Sequence, residues 1–260
     1  MLKINRGSYR YVPIKLPDED KVRAEVIELA ENYGRYGYRK IADLMKNGGK
    51  VINYKRVERI WREEGLKVPQ KQPKKERLWL NDGSCVRLRP EYKNHVWSYD
   101  FITDKTMNGK SIRWLNIIDE HSRECLASIP QRNWTHIQVI ETLAALMLLH
   151  GLPAYIRSDN GPEFTAKKVR QWLGKLGVVT AFIEPGSPWE NGYIESFNAI
   201  MRDQFLNGEI FYNMYEAKVL TAHWVHEYNY IRPHGSLGGK PPIAKAPKTI
   251  VPKNSHCLSA

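Results

Sequence analysis

Residues 96–102 read VWSYDFI. The run is apolar and rich in β-forming residues, so it reads as a strand, yet it contains a carboxylate, Asp100. An unpaired carboxylate in such a strand is costly. Asp100 therefore belongs at a sheet edge, in a pair, or on a metal ion. Working outward, Asn108-Gly109 is a hairpin-turn signal. Ile112 to Ile118 is a second strand and Glu124 to Ile129 a third, which makes a meander. Thr135 caps a long helix through Leu149, with Ile137, Ile140, Leu143, Ala144 and Met147 expected inward, and Gly151 ends it. Ala154 to Arg157 is a short strand. Residues 165–176 form an amphipathic helix with Val169, Trp172, Leu173 and Leu176 on one face. Val178 to Ile183 is a fifth strand. After the loop Pro185-Gly186-Ser187-Pro188, helices are expected over about 190–206 and 215–230.

Three strands in a meander, then helix–strand–helix–strand–helix, predict an α/β domain with a mixed five-stranded sheet flanked by helices. That is the element order of a ribonuclease-H-like domain.

The chain before residue 92 differs in kind. Residues 1–99 hold 23 Lys+Arg and 13 Asp+Glu, whereas residues 100–260 hold 17 and 15, so most of the net charge of +12 sits in the first part. This asymmetry points to nucleic acid or an acidic surface as partner. Asp18 is placed to cap a helix through about Asn32, with Val22, Val26, Leu29 and Ala30 on one side. Tyr38 to Met45 gives a second helix. Asn53 caps a third, Tyr54 to Glu64, on which Val57, Ile60 and Trp61 share a face. A tri-helical unit with a basic last helix fits helix-turn-helix DNA binding, and Lys55, Arg56 and Arg59 are the DNA-facing candidates. An ordinary helical bundle with a charged outside fits the same pattern. The stretch VPQKQPKKER at 68–77 reads as an extended basic linker, and Lys71, Lys74, Lys75 and Arg77 are placed to follow phosphates. The expected organisation is a small all-α helix-turn-helix-like domain at 1–66, a linker at 67–91, the α/β core at 92–245 and a tail at 246–260.

Composition removes other classes. Three scattered cysteines, Cys85, Cys125 and Cys257, make no disulfide framework and no zinc-knuckle spacing. The longest apolar run, Leu143 to Leu149, is far short of the roughly 20 residues of a membrane span. The opening MLKINRGSYRYVPIK lacks the apolar core of a signal peptide. A cytoplasmic protein without a membrane partner is expected.

Three carboxylates are placed for chemistry. Asp100 lies in the first strand. Asp159 follows the fourth strand and precedes Asn160-Gly161-Pro162, and the carboxyl ends of strands are where open α/β sheets hold their sites. Glu195 lies one turn into a helix after the Pro/Gly loop, with Asn191 four residues before it on the same face. Such a set suits hard cations, Mg²⁺ or Mn²⁺, and has room for two of them. Residue types alone leave alternatives open, because 15 acids lie between 100 and 260. Asp119, at the end of the second strand, competes for the first role. Asp104, Glu163, Glu184 and Glu190 fit surface or capping duties.

Four stretches then carry a resemblance: VWSYDFI at 96–102, YIRSDNGPEF at 155–164, IEPGSPWENGYIESFNAIMRD at 183–203 and YNYIRPHGSLGGKPP at 228–242. They resemble the orfB-type transposases of two-frame bacterial insertion sequences, whose catalytic core is similar to that of retroviral integrases. Between Asp159 and Glu195 lie 35 residues, the spacing of the family's Asp-Asp-(35)-Glu signature. YGYRKIADLM at 36–45 resembles the family's N-terminal helical region. The resemblance implies Asp100, Asp159 and Glu195 as the metal-binding catalytic triad, and Asp119 drops out. It implies metal-dependent DNA strand cleavage and strand transfer with Mg²⁺ or Mn²⁺, two ions per site. Double-stranded element ends and target DNA would be the substrates, in a homo-oligomer at the bacterial nucleoid. Asn160, Gly161 and Ser187 would shape the site, and Asn191 and Asn198 would contact DNA or order the metal shell. His234, with Arg232, is placed either to approach phosphate or to pack a loop. Trp189 is a candidate for stacking on a displaced base, and Trp97, Trp114, Trp172 and Trp224 are expected in the core. No sustained heptads precede residue 18, so an upstream-frame (orfA) or fusion product is an expected partner. The rival reading is a catalytically silent DNA-binding regulator, or a domesticated relic of such an enzyme.

Overall fold

A computed structural model describes residues 16–69, 88–158, 167–182 and 191–243. The chain forms two compact units, Met1–Pro73 and Lys74–Ala260.

The first unit holds three helices, α1 (Glu19–Asn32), α2 (Tyr38–Asn47) and α3 (Tyr54–Glu63). Their apolar stripes meet in one small core of Val22, Val26, Ile41, Met45, Val57 and Ile60. Asn53 caps α3 as expected, its side chain accepting from the Lys55 backbone N–H at 2.9 Å. Asp18 departs from expectation. It occupies the N-cap position of α1 but makes no side-chain cap bond, because its carboxylate accepts from Arg56 Nη1 and Nη2 at 3.0 and 2.8 Å. A charged guanidinium out-competes a backbone N–H for the same oxygens.

The second unit is built on a mixed sheet in the order β3-β2-β1-β4-β5. Its strands are β1 (Val96–Lys105), β2 (Ser111–Asp119), β3 (Cys125–Gln131), β4 (Tyr155–Ser158) and β5 (Val179–Phe182). Antiparallel pairing joins β1 to β2 and β2 to β3, and parallel pairing joins β1 to β4 and β4 to β5. The Asn-Gly turn closes the first hairpin, with Gly109 at φ 76, a conformation open to glycine at little cost. The β2–β3 ladder shifts register at Ile117/Ile118, where Ile117 faces Ala127 and Ile118 faces Cys125.

Helices cover both faces. On one side α4 (His136–His150) and α5 (Lys167–Lys175) pack on Trp97, Tyr99, Leu115, Ile117 and Ile156. On the other α6 (Gly192–Gln204) and α7 (Met214–Tyr230) pack on Ile112, Trp114 and Ile118 through Ile194, Phe197, Met201, Trp224 and Tyr228. Thr135 starts α4 with a reciprocal capping box to Gln138. The inward face of α4 matches the expected one at Leu143 and Met147, with Ile140 packed against the core, and departs from it at Ile137. Val139, Leu143, Leu146 and Met147 are buried, whereas Ile137 is 55% exposed. The helix is apolar on most sides, so its periodicity has no clear phase and tertiary packing chose it. Likewise Leu176, expected on the inner face of its helix, follows the end of α5 and is exposed. The four core tryptophans are placed as expected, with Trp172 only partly buried.

Candidate active site

The site begins with strand alternation. Along β1, Trp97 and Tyr99 point to the α4/α5 side, which leaves Ser98 and Asp100 on the α6/α7 side. Asp100 is half-buried and stands opposite Asn116 of β2. Its Oδ2 accepts from Asn198 Nδ2 at 2.8 Å, and its Oδ1 accepts from the Phe101 backbone N–H at 2.7 Å.

Helix α6 brings the second carboxylate to this face. Glu195, Asn198 and Arg202 recur at i, i+3 and i+7, one stripe of the helix, while Ile194, Phe197 and Met201 are buried on the adjoining stripe. Asn198 bonds Asp100, and Arg202 Nη2 donates to the Thr103 carbonyl at 2.7 Å. The helix therefore runs alongside β1, with Glu195 one turn before Asn198. Ser158 ends β4, the parallel neighbour of β1, and is buried. Asp159, Asn160, Gly161, Ser187 and Trp189 lie outside the described residues, as do Lys71, Lys74, Lys75 and Arg77 of the linker and the acids Glu163, Glu184 and Glu190. Among the described residues no group of three or more His, Cys, Asp or Glu converges.

Two buried polar atoms near the site have no hydrogen-bond partner among the described residues, Ser158 Oγ and Asn191 Oδ1. Asn191 sits at the N-cap position of α6 without making a cap bond. Helix capping is thus not its role here, and burial removes it from solvent.

Other acids are accounted for by structure. Asp119 is fully buried and accepts from the Asn94 N–H, the Ser122 N–H and Ser122 Oγ at 2.6, 2.6 and 2.9 Å. Three donors hold it in the β2–β3 turn, away from the Asn198 contact that marks Asp100. Asp104 pairs with Arg202 at 3.5 Å. Beneath the site, Arg157 of β4 makes a forked contact to both oxygens of Glu120 at 2.8 and 2.9 Å. Both residues are buried, Ser98 Oγ also donates to Glu120, and Arg157 Nη2 bonds the Leu88 carbonyl at 2.9 Å. Sequence reading passed over this cluster, since nothing in two charges 37 residues apart marks them as a pair. It also passed over Asn116, although a lone amide in WLNIID is the same kind of signal as a lone carboxylate in VWSYDFI.

The C-terminal signature is packed. Arg232 Nε donates to Gln204 Oε1 at 2.9 Å at the end of α6. The His234 ring stands edge-on to Tyr228 with centroids 4.7 Å apart, and both Arg232 and His234 are buried.

In the helical unit the three basic candidates divide. Lys55 is exposed. Arg56 is engaged by Asp18 and by Glu19 at 2.9 Å, and Arg59 by Glu19 and by Glu63 at 2.9 Å. Glu19 is buried at the start of α1. Burial would raise its carboxyl, but hydrogen bonds from Arg59 and Arg56 outweigh that and hold it below its ordinary 4.5.

Comparison with known proteins follows the same division. An integrase core domain family model matches residues 90–188, a second integrase core domain model matches 176–242, and an HTH-like domain model matches 17–74. The 39.2 kDa protein of insertion element IS476 from Xanthomonas euvesicatoria is 34% identical over 239 residues, which is 92% of this chain and 68% of that one. The transposase of insertion sequence element IS904 from Lactococcus lactis subsp. lactis is 26% identical over 242 residues, 88% of this chain and 95% of that one. A chain of the simian T-cell lymphotropic virus intasome, solved with PP2A regulatory subunit B56 gamma, shares the fold at a TM-score of 0.51 and 16% identity, covering 90% of this chain and 80% of that one. No helix among the described residues is long and apolar enough to cross a membrane. An integrase-core sheet, an HTH-like unit and similarity over most of the chain to insertion-element proteins place this chain in the family of insertion-sequence transposases.

Proposed function

We propose that the chain cleaves DNA strands at element ends and transfers them to target DNA, with Asp100, Asp159 and Glu195 as its metal-binding carboxylates. The observation that carries this reading is the Asn198–Asp100 hydrogen bond. It ties the helix that bears Glu195 to the strand that bears Asp100. A second observation supports it. Strand β4, the parallel neighbour of β1, ends at Ser158, the residue that precedes Asp159 in the sequence.

Asp100 and Glu195 offer hard oxygen donors, which fit Mg²⁺ or Mn²⁺ better than zinc. Two such ions, when bound, would activate the attacking water or 3′-hydroxyl and stabilise the leaving oxygen. The protein's own part is to hold its oxygens in place. Asn198 fixes one oxygen of Asp100, and the buried stripe of α6 fixes the helix that carries Glu195. The basic HTH-like unit would grip duplex DNA, with exposed Lys55 better placed to reach phosphate than Arg56, whose guanidinium is engaged within the unit. Asn191, buried and with no hydrogen-bond partner for its carbonyl oxygen among the described residues, would take a donor from DNA or from the metal's water shell. Work on paired DNA ends implies at least two copies, with an upstream-frame product as a further partner, in the cytoplasm.

The test is cleavage and strand transfer on the flanking element's terminal DNA in Mg²⁺ and in Mn²⁺, comparing wild type with Glu195→Gln. Metal-dependent product that vanishes in the variant supports the assignment, and equal product from both removes Glu195 from the chemistry. No product from either, with salt-sensitive DNA binding intact, would favour the silent regulator or a need for the upstream-frame product.

A further inference from the structure

Asn116 has no apolar reason to be where it is. It is fully buried in β2, between Trp114 and Ile118 of the second hydrophobic cluster and opposite Asp100. A buried amide is costly unless its groups are bonded. Here they are bonded in a line. Ser128 Oγ of β3 donates to Asn116 Oδ1 at 2.7 Å, Asn116 Nδ2 donates to Asn198 Oδ1 at 2.8 Å, and Asn198 Nδ2 donates to Asp100 Oδ2 at 2.8 Å.

The chemistry of the last member sets the direction of the whole line. An ionised carboxylate only accepts. Asn198 must therefore turn its NH₂ toward Asp100, which leaves its carbonyl oxygen facing Asn116. That oxygen requires the Asn116 NH₂, which leaves the Asn116 carbonyl in need of a donor, and the Ser128 hydroxyl is that donor. If the line is broken at Asn116, the Asn198 carbonyl oxygen loses its donor; if it is broken at Ser128, the Asn116 amide keeps only Asn198 and a contact to Met201 Sδ at 3.4 Å. In either case the Asn198 amide is held less firmly against Asp100.

We propose that Ser128 and Asn116 are positioning residues for strand cleavage and transfer. They fix the orientation of the Asn198 amide and, through it, the aim of the Asp100 carboxylate toward a divalent cation. The proposal rests on the reading of Asp100 as a metal ligand. Neither residue touches metal or DNA in this account, and both lie on strands that carry none of the three carboxylates.

The test uses the full chain and the variants Asn116→Leu, Ser128→Ala, Ser128→Thr and Asp100→Asn. Mn²⁺ affinity is measured by calorimetry without DNA, alongside the melting temperature and the kcat and KM for DNA cleavage. Loss of an outer partner of a metal-binding group weakens binding by about 10-fold or more. Asn116→Leu is expected to show that loss, Ser128→Ala a smaller one in the same direction, and Ser128→Thr, which keeps the hydroxyl, near-wild-type affinity. In both deficient variants kcat should fall with KM for DNA unchanged. Should Asn116→Leu be poorly folded, the Ser128 pair decides alone. Wild-type Mn²⁺ affinity and kcat in Ser128→Ala, with only a lowered melting temperature, would reduce the line to a structural staple and overturn the proposal. Wild-type Mn²⁺ affinity in Asp100→Asn would instead overturn the ligand assignment beneath it, so the two failures are told apart.

Discussion

The two faces of the sheet do different work, although the same strands build both. Toward α4 and α5 the strands present Trp97, Tyr99, Leu115 and Ile117, with α4 adding Val139, Leu143 and Met147. Toward α6 and α7 the apolar residues Ile112, Trp114 and Ile118 are interrupted by Ser98, Asp100 and Asn116, every one of them buried or half-buried. The first face gains free energy from continuous apolar burial. The second gives up part of that gain to hold polar groups in fixed directions. Strand β1 shows the contrast within four residues, since Trp97 and Tyr99 face one way and Ser98 and Asp100 the other.

Substitution should separate the faces. The largest expected effect is on chemistry. Asp100→Asn should lower metal-dependent cleavage at least about 10³-fold, roughly 4 kcal/mol of barrier, with little change in melting temperature. A parallel collapse of stability would mean that Asp100 is chiefly structural. On the other face the pattern should reverse. Trp97→Ala is expected to cost about 3–5 kcal/mol in urea unfolding, while the folded fraction keeps its turnover. Turnover lost from a fully folded sample would break the division of labour. Glu120→Ala should cost about 3 kcal/mol of stability, because it leaves Arg157 buried without its counter-charge. Unchanged unfolding there would show that water reaches the pair. The smallest effect lies in the helical unit. Glu19 is held below its ordinary carboxyl value, so its stabilising contribution is complete above the unfolded value near 4.5 and is lost as pH falls through the lowered one. Protection of the α1 amides, with exchange rates referred to the intrinsic rate at each pH, should weaken as pH falls below about 4.5, and Glu19→Gln should flatten that dependence. An equal pH slope in the variant would assign it to other acids.

The legible features of the sequence were those that act locally. The Asn-Gly turn, the Asn53 cap and the Thr135 capping box each work over a few residues, and each lies where the pattern puts it. Asp100 was legible because one carboxylate in an apolar run demands a reason. What escaped depends on distant partners. Asp18 has the composition of a cap, but an arginine 38 residues away takes its oxygens. Arg56 and Arg59 look free on a basic helix, yet Glu19 at the start of α1 engages both. The inward side of α4 is ambiguous because Leu, Ile and Val recur around much of its circumference, and only the sheet beneath selects Val139 over Ile137. Asn116 and the Glu120–Arg157 pair needed three-dimensional neighbours to acquire meaning.

The central place of β1 also orders events in time. Its pairing with β2 spans a short hairpin, whereas its pairing with β4 joins segments more than fifty residues apart in the chain. Local pairing is kinetically cheap and distant parallel pairing is slow. A chain emerging from the ribosome would therefore close the meander around Asp100 well before β4 and α6 exist to join it. Competence to cut DNA is then the last property this unit acquires during its own synthesis.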